Sequence, residues 1–357
     1  MALLWCLQAE GISSIRDNLS NGISIGYIKA GSADAMSLTW RPDLKWGAWG
    51  LGVDVNMPIG NVRPDGYESL VLRHIEYDDG LKGLRYGVLE GITWGHGLLV
   101  KNYSTRVAGP LILNNNQTGI KGYYTFDKVQ VQALGTWSHL YGGRITEKVH
   151  PMLTLGQGYI SNTSQAGIQL DAAVPLPLGF NGYAEYAQLM NNGQGSSIGV
   201  DWGFDALAFV TKFDMGYRMM SSRFAPGYFN ADLEIDPTNL ASLGASSRNG
   251  YFAELTALAG SYLNLIALYE SYQGSNTAVT AQLDSKPRED LLLSAYYKQP
   301  NFVDFTALSF EQGAILGAKV GYKVNPFTMM IAHFKKAYDP SVAKVVESQW
   351  YEVAFSF

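Results

Sequence analysis

Residues 349–357, QWYEVAFSF, alternate between large apolar side chains and small or polar ones. In an extended strand such side chains fall on opposite faces, because the strand repeats every two residues. One face carries Tyr351, Val353, Phe355 and Phe357. The other face carries Glu352, Ala354 and Ser356. Chain ends usually fray, so this concentration of apolar groups needs a surrounding that accepts it. A strand with lipid on one side and a watery lumen on the other provides that surrounding.

The same alternation recurs from residue 22 onward. In residues 206–219 the apolar set Phe213, Met215 and Tyr217 alternates with charged Asp214 and Arg218. Residues 67–77 are less regular, because Arg73 falls on the side of Val71 and Ile75. The pattern predicts about 18 strands, with 16 as the alternative, at 22–30, 36–41, 47–56, 67–77, 83–90, 118–126, 128–139, 165–174, 180–190, 196–204, 206–219, 251–259, 262–272, 277–284, 288–298, 314–324, 327–336 and 349–357.

The connections between these strands are of two kinds. Every second link is short, as at Asp127, at Lys286-Pro287 and at the turn predicted from Pro42 to Trp46. All the long links lie between the short ones, near 57–66, 91–116, 140–164, 220–249, 299–312 and 338–348. Short turns on one rim and long loops on the other are typical of a membrane barrel. The predicted fold is therefore all-β: a transmembrane, antiparallel, up-and-down β-barrel over residues 22–357.

Composition agrees with this fold. The chain of 357 residues carries 39 Gly and only 16% charged residues, against about 25% charged and roughly 7% Gly in average proteins. It contains no apolar run of the ~18 residues that a transmembrane helix needs. The net charge of −5 argues against nucleic-acid binding, which usually requires a basic patch. Cys6 is the only cysteine, which excludes an intramolecular disulfide and a multi-cysteine metal site.

The polar face of the strands carries too many charges for a dry protein core, since fully buried charges are costly unless they are paired. A water-filled lumen, as in barrels of 16–18 strands, removes that cost. The candidate pore-lining residues are Arg85, Lys121, Asp171, Asp201, Lys212, Asp214, Arg218, Glu254, Asp290, Lys298 and Lys319. Several of them could form a mixed-charge constriction that sets ion preference. The alternative, that they are scattered solvated charges, stays open.

The sequence lacks the common catalytic and metal-binding patterns. The five histidines show no HExxH or other close ligand spacing. No GxSxG nucleophile elbow occurs. Residues 47–52, GAWGLG, lie within an alternating strand with no helix after them, so they do not predict a nucleotide loop. We therefore predict no catalytic residue, no bound metal and no cofactor.

The closing strand and the alternation resemble those of bacterial outer-membrane β-barrels of the porin-like kind. The resemblance implies an outer-membrane location, contact with lipid, periplasmic short turns, extracellular long loops, and recognition of Phe357 by the barrel-assembly machinery. It implies passive diffusion of small hydrophilic solutes. A substrate-specific channel for sugars or carboxylates, with Tyr183, Tyr262 and Tyr296 as a suggestive aromatic track, and a barrel scaffold or adhesin that displays loops are the alternatives.

Three segments and the oligomeric state are compatible with more than one arrangement. Residues 1–21 show no alternation and could be a signal remnant or a segment within or beneath the barrel, with a helical turn between Ile12 and Leu19. Residues 91–116 could contain a further strand at 95–103. The loop 220–249, with Phe224, Tyr228, Phe229, Asp232, Glu234 and Asp236, is long enough to fold inward or to lie outside. A monomer and a homotrimer are both compatible with the pattern.

Overall fold

The computed structural model describes residues 22–30, 33–59, 70–105, 118–206, 209–231, 233, 238–243, 246–260, 262–274, 277–303, 314–325, 327–339 and 344–355. The predicted terminal aromatic Phe357 and the segment 1–21 lie outside these residues. So do residues 106–117, of which 106–116 belong to the predicted long loop 91–116. In the part of the chain that is described, no helix is long and apolar enough to cross a bilayer.

The described residues form 21 strand segments and two short 3-10 helices. The strands are β1 Gly22–Ala30, β2 Ala33–Arg41, β3 Asp43–Trp46, β4 Trp49–Ile59, β5 Leu70–Asp78, β6 Lys82–Gly87, β7 Gly119–Phe126, β8 Val129–Thr136, β9 Tyr141–His150, β10 Leu153–Ser161, β11 Ala166–Pro175, β12 Phe180–Leu189, β13 Gln194–Ala206, β14 Phe209–Met220, β15 Arg248–Ala259, β16 Leu263–Tyr272, β17 Thr277–Arg288, β18 Leu291–Phe302, β19 Ile315–Asn325, β20 Thr328–Asp339 and β21 Lys344–Phe355. The 3-10 helices are Pro177–Gly179 and Leu240–Leu243.

All strands belong to one antiparallel sheet that returns to its starting strand. Each wall strand pairs with the next along the chain, and β21 pairs with both β20 and β1. The closing seam runs from Ile23 opposite Phe355 to Lys29 opposite Gln349. The sheet therefore has no free edge along this seam, as a membrane-spanning sheet requires. The predicted transmembrane, up-and-down β-barrel is confirmed.

The wall contains 20 strands rather than about 18. The two additional strands, β9 and β10, lie in residues 140–164, which the sequence predicted to be a connection. Polar residues such as Arg144, Thr146 and Lys148 occur there beside glycines, and this mixture hides the alternation. β9 nevertheless pairs with β8 and β10, and a short turn at residues 151–152 joins β9 to β10.

Pro42 does not begin a turn. The segments β2 and β3 on either side of it both pair with β4, so they form one wall strand. Proline has no N–H to donate, yet its carbonyl accepts a hydrogen bond from the Val53 N–H at 3.1 Å. The turn lies instead at Gly47-Ala48, between the paired residues Trp46 and Trp49.

A β-bulge explains the irregular alternation of β5. The register between β4 and β5 passes from Gly52 opposite His74 to Val53 opposite Leu72, which leaves Arg73 as the extra residue. A bulge of this kind places two consecutive side chains on the same side of a strand. Arg73 and His74 are accordingly both buried in the lumen, while Ile75 is exposed on the outer face.

The two faces of the wall have opposite chemistry. On β14, Met215 and Met219 are each 46% exposed on the outside, whereas Asp214 and Arg218 are 8% and 2% exposed on the inside. The same arrangement holds around the ring, with outward apolar side chains such as those of Leu84, Ile120, Leu170, Ile198, Val320 and Met330. A barrel with an apolar outside and a charged inside is inverted relative to a soluble protein and fits a bilayer.

Aromatic side chains lie near both rims. We name the rim that carries the turns at 47–48, 79–81, 127–128 and 289–290 the short-turn rim, and the opposite one the long-loop rim. Trp49 packs edge-on against Tyr77 at 5.0 Å near the former, and Trp202 lies 5.8 Å from Phe204 there. Exposed Trp137 and Tyr251 lie near the latter. Aromatic girdles of this kind are typical of the two membrane–water interfaces.

Local hydrogen bonds close the short turns. In the 79–81 turn, the backbone N–H groups of Lys82 and Leu81 donate to the Asp79 carboxylate at 2.9 and 3.0 Å. These bonds lower the pKa of the Asp79 carboxyl below its ordinary value. Turns held by their own side chains need few residues, which accounts for the shortness of the links on this rim.

Candidate functional site

Two segments leave the long-loop rim and fold into the lumen. We name them the first inward loop, residues 88–105, and the second inward loop, residues 221–231. They meet backbone to backbone. Gly227 N–H donates to the Leu98 carbonyl at 2.9 Å, Phe229 N–H to the Leu99 carbonyl at 3.1 Å, and Lys101 N–H to the Phe229 carbonyl at 3.0 Å. The two loops therefore form one element.

The first inward loop is a compact hairpin-like turn rather than a wall strand at 95–103. Ile92 and Tyr103 exchange hydrogen bonds of 3.0 and 2.9 Å, and Trp94 N–H donates to the Val100 carbonyl at 3.1 Å. Its tip contains Gly95 and Gly97, with φ of +58° and +86°. These values lie in the left-handed region that glycine adopts without strain.

An apolar cluster joins both inward loops to the inside of the wall. From the loops it contains Trp94, Leu98, Leu99, Val100, Tyr103, Phe224, Ala225, Tyr228 and Phe229, and Leu233, which follows the second loop, also belongs to it. From the wall and its links it contains Leu134, Leu140, Ile160, Ala187, Leu189 and Met220. Burial here raises the pKa of the Tyr228 hydroxyl. The inward alternative for the loop 220–249 is therefore correct for its described part, while Asp232, Glu234 and Asp236 lie outside the described residues.

Glycines of the inner wall form the surface on which this cluster rests. A Cβ atom added to Gly142 would lie 2.8 Å from the Trp94 ring, and one added to Gly158 would lie 3.0 Å from it. A Cβ on Gly167 would lie 2.9 Å from Leu99. These distances are shorter than a van der Waals contact, so the absence of a side chain at these positions admits the loop side chains. We name Gly142, Gly158 and Gly167 the glycine seats.

The loop tip is fixed to the wall by its backbone. His96 N–H donates to Glu185 Oε1 at 2.6 Å. Gln169 Nε2 donates to the Trp94 carbonyl at 3.0 Å and to the same Glu185 oxygen at 3.1 Å. A side chain at Gly95 would collide with Glu185. The tip thus lies directly against β11 and β12.

The His96 side chain lies between an aromatic ring and two carboxylates. Its imidazole stacks on the Tyr183 ring, with centroids 3.5 Å apart and an interplanar angle of 4°. Its Nδ1 is 3.4 Å from Asp214 Oδ2, and its Nε2 is 3.7 Å from Asp201 Oδ2. The Tyr183 hydroxyl donates to Asp214 Oδ1 at 2.7 Å. Tyr183 is the fourth residue of β12 from the short-turn rim, so the tip reaches past the middle of that strand.

Further ion pairs surround this tip. Lys101 Nζ donates to Glu254 Oε2 at 2.6 Å and so connects the first inward loop to β15. Arg218 donates to Glu270 at 2.7 Å and to the Tyr272 hydroxyl at 2.8 Å, while its guanidinium lies 3.8 Å above the Phe252 ring. The lumen at this height is therefore crossed by a network of fixed charges.

Two other pairs link wall strands, one across the intervening strand β10 and one between the adjacent strands β5 and β6. Arg144 forms a two-pronged pair with Asp171, with N–O distances of 2.7 and 2.8 Å. Arg85 donates to Glu76 at 2.9 Å. Charge-assisted pairs of this kind are strong when water is partly excluded. They also neutralise the charges that line the lumen.

The structure distributes the predicted pore-lining residues as follows. Asp201 and Asp214 meet at His96, and Glu254 joins the same region through Lys101. Arg218, Asp171 and Arg85 lie in separate pairs. The strand register places four further predicted positions on the inner face of the wall: Lys121 opposite Arg85, Lys212 opposite Gly203, Lys298 opposite Thr280, and Lys319 opposite Ser294.

Asp290 lies apart from this group. It occupies the short turn after β17, where the Arg288 side chain donates to it and lowers the pKa of its carboxyl. The suggested aromatic track also separates. Tyr183 is buried beneath His96, whereas Tyr262 is exposed at a short turn.

The sequence did not reveal the partners of these residues. His96 and Lys101 lie in a loop, which carries no periodicity, and Arg144 lies in the predicted connection 140–164, so none of the three is a candidate. Glu185 lies in a predicted strand, but alternation alone does not distinguish it from other polar residues there. The glycines were interpreted only as small lumen-facing residues.

No protein-family model and no curated protein sequence matches this chain. Several solved outer-membrane proteins are similar in structure. A BenF-like porin from Pseudomonas fluorescens Pf-5 has a TM-score of 0.44 and 12% identity over 93% of this chain and 96% of that one. OpdK from Pseudomonas aeruginosa, solved with vanillate, has a TM-score of 0.42 and 10% identity, over 94% of this chain and 96% of that one. Wzi from Escherichia coli has a TM-score of 0.45 and 9% identity, over 96% of this chain and 87% of that one. It is described as a carbohydrate-binding β-barrel involved in group 1 capsule assembly.

Proposed function

We propose that this chain is a porin-like channel of the bacterial outer membrane, through which small hydrophilic solutes diffuse passively past a fixed constriction. The observation that carries the proposal is the inverted wall, with outward methionines and inward charges alternating along single strands such as β14. An apolar exterior of this kind places the wall in lipid, and the charged interior then faces water. Barrels of 16–18 strands already enclose an aqueous channel, and this wall has 20 strands.

The inward loops support a narrowed rather than a wide channel. Their tip and apolar cluster contact the wall between β8 and β16, since Trp94 and Ile160 belong to the same cluster and His96 stacks on Tyr183. Among the described residues, none of the cluster belongs to β17 through β21 or to β1 through β7. The lumen beside these strands is therefore the path along which we place the solutes.

The pairing of the lumen charges supports weak ion selectivity. Four of the predicted lumen charges have an oppositely charged partner within 3 Å, namely Arg85, Asp171, Arg218 and Glu254. A ring of unpaired charges of one sign gives a pore strong ion selectivity. The pairs named above do not form such a ring. We expect the purified protein in a planar bilayer to give a steady conductance and, in a salt gradient, a reversal potential near zero.

A substrate-specific channel is the second candidate. The arrangement of Tyr183, His96, Asp201 and Asp214 favours it, because these groups are held at fixed distances at the constriction. A solute that blocks the current in a concentration-dependent manner at micromolar to millimolar levels would identify such a channel. A protein that inserts into the bilayer but never conducts would contradict both forms of the proposal and favour a scaffold.

A further inference from the structure

Two cations lie opposite each other on neighbouring strands of the inner wall. Arg85 of β6 is the cross-strand partner of Lys121 of β7. The residues beside them along the two strands, Leu84, Tyr86 and Ile120, are exposed on the outer face, so Arg85 and Lys121 both point into the lumen. Like charges directly opposite each other on one face destabilise a sheet. A group of opposite charge between the two would remove that cost.

The wall neutralises only one of the two cations. Arg85 Nη1 donates to Glu76 Oε2 at 2.9 Å, and Arg85 Nε donates to the Val88 carbonyl at 3.1 Å. Among the described residues, the remaining nitrogen Nη2 has no acceptor, and neither has the Lys121 ammonium. One positive charge is therefore left in excess on the two opposed side chains.

The space on the short-turn side of the pair is occupied. The Tyr123 ring lies over Gly83, because a Cβ atom at Gly83 would collide with it. The Tyr123 hydroxyl donates to Asp78 Oδ1 at 2.6 Å, and the same oxygen accepts the Gly80 N–H at 2.9 Å. The Asp78 carboxylate is thus held at the short turn by bonds of its own.

The free donors of the pair remain accessible. The Arg85 side chain is 24% exposed, and Lys121 is half-buried. Hydrogen bonds from cationic donors to an oxyanion are about twice as strong as those between neutral groups, and a planar guanidinium matches a planar oxyanion. A single excess charge is balanced by a monovalent ion, whereas a divalent one would leave a negative charge in its place.

We propose that Arg85 and Lys121 form a binding subsite for a small monovalent oxyanion, such as nitrate or the carboxylate group of an organic acid. One oxygen of the ion accepts from Arg85 Nη2 and another from Lys121 Nζ. The subsite lies on β6 and β7, beside the part of the lumen that the inward loops leave open. Its role as a stop along the solute path rests on the proposed function, whereas the binding itself does not.

A subsite of this kind is compatible with weak ion selectivity. Strong preference requires a ring of charges of one sign around the pore. Here one excess positive charge lies on one side of the wall, so anions can bind there while cations pass along the rest of the lumen.

Chemical labelling of lysines tests the subsite in the full chain. The protein in detergent micelles is acetylated with a water-soluble N-hydroxysuccinimide ester, and the labelling rate of each lysine is measured by mass spectrometry of protease fragments. Nitrate or acetate replaces chloride at constant ionic strength, which keeps general screening the same. At about twice its Kd an anion leaves about one third of the sites free. We then expect labelling of Lys121 to slow by about threefold.

Lys212 is the internal control. It also lies on the inner face, but its partners across the two neighbouring strands are Gly203 and Thr256 and not an arginine. We expect its labelling rate to be the same in the three salts. Equal slowing at both lysines, or none at Lys121, would overturn the proposal. So would a Lys121 that is never labelled, because its ammonium would then be closed to the lumen.

Sulfate and one variant test the assignment further. Slowing of Lys121 labelling by sulfate but not by nitrate or acetate would contradict a monovalent ligand. Arg85→Gln removes the guanidinium and keeps a polar side chain, and we expect it to abolish the protection of Lys121. Protection that persists in this variant would show that Lys121 binds anions alone, which contradicts a site made of two residues.

Conductance of the same preparation keeps the two proposals apart. A protein that conducts but shows no protection of Lys121 contradicts the subsite and leaves the channel intact. A protein that shows the protection but never conducts contradicts the channel and leaves the subsite intact.

Discussion

The imidazole of His96 lies flat on the phenol ring of Tyr183, with the ring centroids 3.5 Å apart. This contact joins the tip of a loop that enters from one rim to a wall residue nearer the other rim. Because Tyr183 also donates to Asp214, stacking and hydrogen bonding fix the same tip. The loop tip is therefore held by two kinds of contact, and the effect of removing them can be measured.

Replacement of His96 by Asn removes the stack and both carboxylate contacts. We expect a higher single-channel conductance and larger open-channel current noise, because the loop tip loses its side-chain anchor. His139→Asn is the control, since His139 is exposed in the link after β8 and has a positive φ that Asn tolerates. An unchanged current in His96→Asn would show that the backbone bonds to Glu185 alone hold the tip.

The glycine seats predict a packing effect. In Gly142→Ala the new methyl group would lie 2.8 Å from the Trp94 ring, and overpacking of this kind costs about 1–3 kcal/mol. We expect a lower midpoint of heat-induced unfolding on gels and faster proteolysis within the first inward loop. Gly203→Ala is the matched control on the inner face of β13, because a Cβ there meets nothing within 4 Å. Equal stability of the two variants would contradict the role of the seats.

The sequence was sufficient where one physical rule acted alone. Alternation located strands such as β14 and β19, because lipid outside and water inside impose a period of two. Alternation did not locate β9 and β10. In these strands glycines stand where large outward or inward side chains would mark the period, and the inward Arg144 is paired with Asp171. Alternation also assigned Arg73 to the wrong face, because the β-bulge adds one residue to β5 and no sequence pattern indicates the bulge.

The constriction could not be predicted for a different reason. The contact of His96 with Asp201 and Asp214 joins residues more than 100 positions apart, as does that of Lys101 with Glu254. Their meeting depends on how far the first inward loop descends into the lumen. That depth is set by Trp94 fitting between Gly142 and Gly158, a fit of shapes that no local pattern encodes.

The Lys101–Glu254 pair predicts that the first inward loop depends on β15. Both side chains are largely buried, and the N–O distance is 2.6 Å, so we expect a coupling energy of about 1 kcal/mol in a double-mutant cycle. Lys101→Glu alone should increase proteolysis of the loop, and the charge swap with Glu254→Lys should restore protection. The Lys336–Glu347 pair, at 3.0 Å and more exposed, is the control. A swap that fails to restore protection would contradict the ionic contact.

The Arg144–Asp171 pair predicts how ion preference can be changed. Asp171→Asn leaves the Arg144 guanidinium without its carboxylate partner in the lumen, so a fixed positive charge faces the permeating ions. We expect the reversal potential in a KCl gradient to move toward that of chloride. The shift should shrink in about 1 M salt, where the Debye length is about 3 Å. Asp290→Asn also removes a carboxylate beside an arginine, but at an exposed short turn, and should leave the reversal potential unchanged. Equal shifts in the two variants would mean that the rim, and not the paired charges inside the wall, sets the ion preference.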